Sequence, residues 1–108
     1  MNSVQNLIEL NERFIELREI LIREDENNWI KGINVILSKI YFALKDNDDA
    51  KETIKSVGNT YFLMNSGNGS FSDYHVWRED FDERVEANEE LIKIKSNITD
   101  LIFGYGLS

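Results

Sequence analysis

The residues of widest chemical range sit together in the middle of the chain. His75 is the single histidine, with Ser70, Ser72 and Asp73 just before it and Glu79 just after. A serine, a histidine and a carboxylate are the parts of a nucleophilic triad, in which the imidazole takes the hydroxyl proton and the acid orients the imidazole. Here all three would come from one short loop, with no second element to supply oxyanion-stabilising N–H groups. A hydrolase using His75 and Asp73 therefore ranks below a binding protein, and no catalytic residue is assigned. One histidine, no cysteine, no Asp-x-Asp-x-Asp-Gly loop and no Glu-x-x-His pair leave no recognisable metal-ligand set. No metal or organic cofactor is expected.

Gly67-Asn68-Gly69-Ser70 has the glycine content of a phosphate-cradling loop. No Lys-Ser/Thr pair follows it, however, no buried strand precedes it, and Asp73 would repel a phosphate. Glycines that supply positive φ in a connector between helices are the simpler account.

Downstream, Glu79, Asp80, Asp82, Glu83, Glu86, Glu89 and Glu90 form the densest acidic run, with Arg84 the one basic residue inside it. Phe71, Tyr74 and Trp77 precede it. Acids at positions 80, 82 and 83 suit the positive end of a helix dipole, but seven acids exceed what capping needs. Aromatic anchors beside steering charges are the composition of an interface. Asp73, Tyr74, Trp77, Glu79, Asp80, Asp82, Glu83 and Glu86 are therefore the candidate partner-binding residues. Whether Phe71, Tyr74 and Trp77 belong to the core or to that interface stays open at this level.

The elements that must position these residues read as helices. Residues 2–24 form the first, with Val4, Leu7, Ile8, Phe14, Ile15, Leu21 and Ile22 on one stripe and Leu10, Leu17 and Ile20 on its flank. Asn2 with Gln5 resembles a capping box. The acidic and amide cluster at residues 24–28 supplies N-cap residues and first-turn charge for a second helix over residues 29–45. That helix carries Ile30, Ile33, Leu37, Ile40 and Leu44 on one face and Trp29, Val35, Ile36, Tyr41 and Phe42 around much of the rest. A helix apolar nearly all round is central in its domain or covered by a partner, which includes a second copy in a homodimer. Gly32 inside it marks a close helix crossing.

Asp49 with Glu52 caps a third helix running to about residue 64. A hairpin pairing residues 60–64 with residues 71–77 across Asn68-Gly69 is the second choice, because an isolated two-stranded hairpin needs support. Asp80 with Glu83 caps a fourth helix through Ala87, Leu91, Ile94, Ile98, Leu101 and Tyr105, ended by Gly104 and Gly106. The expected fold is all-α: a single domain over residues 1–108, an antiparallel bundle of about four helices with one Gly-rich loop.

Composition agrees. The 108 residues are 42% hydrophobic and 11% aromatic, with no cysteine and no proline, a length that buries a core without disulfides or metal. No apolar run is long enough to span a membrane, and no basic region with an apolar stretch opens the chain, so a cytoplasmic protein is expected. The net charge of −8 repels phosphate backbones and anionic lipid and attracts cations. The expected partner is a basic protein, not nucleic acid or membrane.

Trp29 opening a helix, the acidic turn at residues 46–49, Gly69-Ser70-Phe71-Ser72-Asp73, and Asn88 in the final helix together look like a family of small bacterial helical proteins. Their loop reads close to Gly-Met-Gly-Ser-Phe-Asn-Asp; here Asn68 stands in place of the Met and Ser72 in place of the Asn. The likeness covers residues 29–101, is specific in the loop alone, and carries no activity with it. Compact acidic bacterial proteins of this sort are similar to immunity proteins that neutralise contact-dependent or polymorphic nuclease toxins. The resemblance implies an antitoxin without chemistry of its own, which blocks the basic cleft of a toxin domain.

Overall fold

Spacing of three and four along the sequence becomes helix almost throughout. The computed structural model describes residues 3–66 and 71–106, which hold α1 (Ser3–Arg23), α2 (Ile30–Asp46), α3 (Ala50–Met64) and α4 (Phe81–Gly106). Among the described residues there is no strand. The expected cap at Asn2, the Asn68-Gly69 turn, Ser70 and the side chains of Asp73 and Tyr105 lie outside the described residues.

The helices form an antiparallel bundle. α1 packs on α2 and α4, α3 closes the ring between α2 and α4, and α1 also meets α3 across the diagonal. Polar bridges fix the opposed directions: Arg18 donates to Asn34 at 3.0 Å between α1 and α2, and the Lys39 ammonium spans from α2 to the Ser56 and Thr60 hydroxyls of α3 at 3.0 and 2.9 Å. Between α1 and α4, Arg23 meets Glu90 at 3.5 Å. At 1.5 Å per residue, 26 residues of α4 span roughly 39 Å, which sets the long dimension of a molecule 46 × 25 × 25 Å across.

Burial corrects the expected stripe on α1. Leu7, Leu10, Phe14, Leu17 and Leu21 are fully buried, while Val4, Ile8 and Ile22 are exposed. The centre of the stripe lies on the expected flank because α1 faces three helices at once. Phe14 anchors it with an edge-on contact to Tyr61 of α3, ring centroids 5.5 Å apart. α2 is not central. It sits between α1 and α3, burying Ile33, Ile36 and Ile40 and leaving Val35, Tyr41 and Phe42 exposed.

The cluster at residues 24–28 does not cap α2. Trp29 takes the N-cap position with no side-chain bond to the helix, and no acid occupies the first turn. The cluster instead ends α1: Asp25 adopts φ 56°, and the Glu26 N–H reaches back to the Leu21 carbonyl at 2.9 Å, the long-range bond of a Schellman ending. α2 ends the same way, with Asn47 at φ 56° and the Asp48 N–H on the Ala43 carbonyl at 2.9 Å.

The other caps stand as the sequence predicts. The Asp49 carboxylate accepts the Glu52 N–H at 3.1 Å, and the Asp80 carboxylate accepts the Glu83 N–H at 2.9 Å. Residues 60–64 form the last turn of α3, which overturns the hairpin alternative. α4 continues through Gly104, so that glycine lies inside the helix rather than ending it. Gly32 does face α3, for a Cβ there would stand 2.9 Å from the Met64 sulfur.

Candidate functional site

The connection from α3 to α4 is fastened to the bundle. It enters through a short 3-10 turn at Phe71–Asp73, and the Phe71 ring is fully buried, 5.7 Å from Trp29 and 6.5 Å from Tyr61. Tyr74 stacks on Phe71 at 6.2 Å and is half-buried. Burial pushes the Tyr74 hydroxyl up from its ordinary pKa, with the Glu24 and Glu26 carboxylates adding to the effect.

Beyond Tyr74 a strap, residues 74–80, crosses to the start of α4. Val76 is buried, and Asn88 grips its backbone at two points: Asn88 Oδ1 accepts the Val76 N–H and Asn88 Nδ2 donates to the Val76 carbonyl, each at 2.9 Å. Two residues on, Arg78 makes a bidentate pair with Glu24 at the end of α1, at 2.6 and 2.5 Å, and donates to the Trp77 carbonyl at 2.8 Å. The Arg78 guanidinium holds the Glu24 carboxyl below its ordinary pKa. Charge-assisted forks of this kind fix geometry as well as add energy.

With Val76 turned inward and Arg78 tied to α1, Trp77 faces water. It is 67% exposed and Phe81, at the start of α4, is 64% exposed. The Arg84 guanidinium lies 4.5 Å from the Trp77 ring centroid and 5.5 Å from that of Phe81, a cation–π arrangement that holds the two rings together. The three aromatics left open by the sequence therefore divide: Phe71 is core, Tyr74 is at the margin and Trp77 is surface.

Glu79, Asp80, Asp82, Glu83 and Glu86 are all exposed. Turning about 100° per residue along α4, Asp82 and Glu86, with Glu89, flank the exposed Phe81, Val85 and Ile92. Glu83 turns the other way, toward Arg78, whose charge it helps to hold. Asp80 is engaged as the helix cap. Trp77 and Glu79 on the strap, and Asp82 and Glu86 on α4 to one side of Phe81, are thus all exposed; Asp80, about 100° before Phe81, and Glu83 lie off that flank, Tyr74 is half-buried, and the Asp73 side chain is outside the described residues.

Phe81, Val85, Arg84 and Asn88 build or support this candidate surface and are not among the candidate residues read from the sequence. Phe81, Val85 and Ile92 recur at steps of four and seven beside the acids, a second apolar stripe, and an Asn in the middle of a long helix is itself a signal because Asn is a poor helix former. His75 is exposed, and no hydrogen bond or ion pair ties it to a described residue. Among the described residues no three His, Asp or Glu side chains are disposed to hold a metal ion, and no helix is long and apolar enough to cross a membrane. Compared with family models, with curated protein sequences and with solved structures, the chain gives no match.

Proposed function

We propose that this protein binds a basic protein domain and acts as an immunity protein, neutralising a bacterial nuclease toxin by covering its cationic cleft. The observation that carries the reading is the exposed Trp77 and Phe81 pair, held in place by a strap fastened on both sides, with the exposed acids Glu79, Asp82 and Glu86 close by in the chain. Rigid aromatic anchors lose little side-chain entropy on binding, and Trp and Arg are the residues most often found at interface hot spots. The acids around them steer a cationic partner into place. A toxin cleft shaped for phosphate would meet carboxylates instead and lose access to its substrate.

Co-expression with the C-terminal domain of the protein encoded immediately upstream tests this. Cell survival with a purifiable complex supports the reading; cell death, or two proteins that do not associate, overturns it for that neighbour. In the complex, Trp77→Ala is expected to raise Kd by about 30-fold or more, chiefly through faster dissociation. Asp82→Lys with Glu86→Lys should slow association at low salt by about tenfold or more. Asp80 is spared because reversing it would remove the cap of α4. His75→Ala should change neither rate.

A second reading rests on the exposed Val35, Tyr41 and Phe42 of α2. That face suits a homodimer, and sedimentation equilibrium of the protein alone, with Phe42→Glu as the disrupting variant, separates it from the first.

A further inference from the structure

A groove of about 390 Å³ lies between α3 and α4, its lining including Tyr61, Phe62, Ile92, Lys95, Ser96 and Thr99. Small-molecule sites run from roughly 300 to 1,000 Å³. Its walls are largely apolar, and one side chain in it is charged. Lys95 is half-buried, its Nζ 4.3 Å from the Phe71 ring centroid and donating to the Phe71 carbonyl at 3.3 Å. These contacts orient the ammonium without neutralising it, and no described carboxylate forms an ion pair with it.

That is an odd place for a lysine. The chain has 20 acidic residues against 12 basic ones, yet no described carboxylate pairs with this cation. Burial alone pushes the Lys95 pKa down, which an anion seated on the ammonium would reverse. An ammonium carries three donors, and the Phe71 carbonyl takes one at long range. The protein's negative field disfavours a dianion, and a single cation matches a single charge.

We propose that this groove binds a small monocarboxylate with a short apolar body, the carboxylate on Lys95 Nζ and the body between Phe62 and Ile92. The inference stands apart from the toxin-binding reading: Lys95, Phe62 and Ser96 take no part in the Trp77 and Phe81 pair, Ile92 at the far end of the α4 stripe is the one residue shared, and either reading can fail alone.

Titration of isotopically labelled protein with octanoate, followed through the Lys95 side-chain and Ile92 methyl signals, is the test. Octanol supplies the body without the charge and acetate the charge without the body. Saturable shifts with octanoate, with both controls weaker by about tenfold or more, are the expected result. Lys95→Met keeps the stem over Phe71 and should weaken octanoate by about the same factor, and Ser96→Phe should do so by filling the groove with Lys95 intact. Folding of each variant is checked by circular dichroism, and Ser96→Phe, at an exposed position, carries the test should Lys95→Met not fold. Octanol matching octanoate, shifts that do not saturate or map elsewhere, or full binding by either folded variant overturns the proposal.

Discussion

Asn88 decides where other residues stand. Its amide copies a peptide edge, giving and taking one bond each with Val76, and the same Nδ2 also donates to the Arg84 carbonyl at 2.9 Å. Asn88→Ala leaves the N–H and C=O of Val76 without partners in a part-buried site, where each unsatisfied group costs about 1–3 kcal/mol. A loss of about 2 kcal/mol in urea unfolding is expected, with faster hydrogen exchange at the Val76 amide. A wild-type midpoint would mean that the strap is held by packing alone. The second fastening responds to pH. Arg78 lowers the Glu24 pKa below its ordinary 4.5, mainly through the hydrogen-bonded pair. A carboxyl depressed in the folded state stabilises the fold fully above its unfolded pKa, and that contribution is lost as pH falls through the folded value. Glu24→Gln should therefore melt below wild type at pH 7, and the two melting curves should converge as pH drops below 4.5. A gap in Tm unchanged at about pH 3 would contradict the assigned role of the pair.

Helix contacts make two glycines respond in opposite directions. At Gly58 of α3 a Cβ would stand 2.9 Å from Ile102 Cγ2 of α4, whereas nothing lies within 4 Å of one at Gly104. Alanine gains about 1 kcal/mol over glycine in a helix interior. Ile102 is buried and β-branched, so its methyl cannot rotate away, and overpacking costs about 1–3 kcal/mol. Gly58→Ala should destabilise by about 1 kcal/mol, and Gly104→Ala should stabilise by up to about 1 kcal/mol. Combining Gly58→Ala with Ile102→Leu, which removes the offending methyl, should recover stability beyond the sum of the two changes in a double-mutant cycle. Urea midpoints that move the same way for both single variants would refute the contact argument. This dependence on neighbours also marks what the sequence reveals. The caps at Asp49 and Asp80 are legible because each signal lies within four residues of its effect. The start of α2 is not, since Glu24 finds its partner 54 positions away in Arg78. Trp77 is illegible for the same reason: Val76 and Trp77 are adjacent apolar residues, and Asn88, 12 positions on, settles which one turns inward. The acids of the candidate surface can be read as a group, but the split between Asp82 and Glu83 needs the placement of α1.

At the scale of the whole molecule, charge acts on folding and binding with opposite signs. The net charge is −8, and the acids crowd the first half of α4, while several of the ion pairs join neighbours in sequence and are exposed or part-exposed, such as Lys55 with Glu52 and Arg13 with Glu16. Exposed pairs contribute little, so like-charge repulsion is the larger electrostatic effect on the fold. Raising salt shortens the screening length from about 10 Å at 0.1 M to about 3 Å at 1 M. The Tm should therefore rise by several degrees between low salt and 1 M sodium chloride, and the rate of association with a basic partner should fall over the same range. Asp82→Lys with Glu86→Lys changes the net charge from −8 to −4, since each reversal adds two. Both salt responses should shrink in that variant, because the removed charges are the ones that repel each other and attract the partner. Thermal melts and stopped-flow association at matched salt concentrations read both. A Tm that falls with salt would make the ion pairs dominant, and an association rate indifferent to salt would remove charge steering from the proposed mechanism, leaving Trp77 and Phe81 to carry recognition.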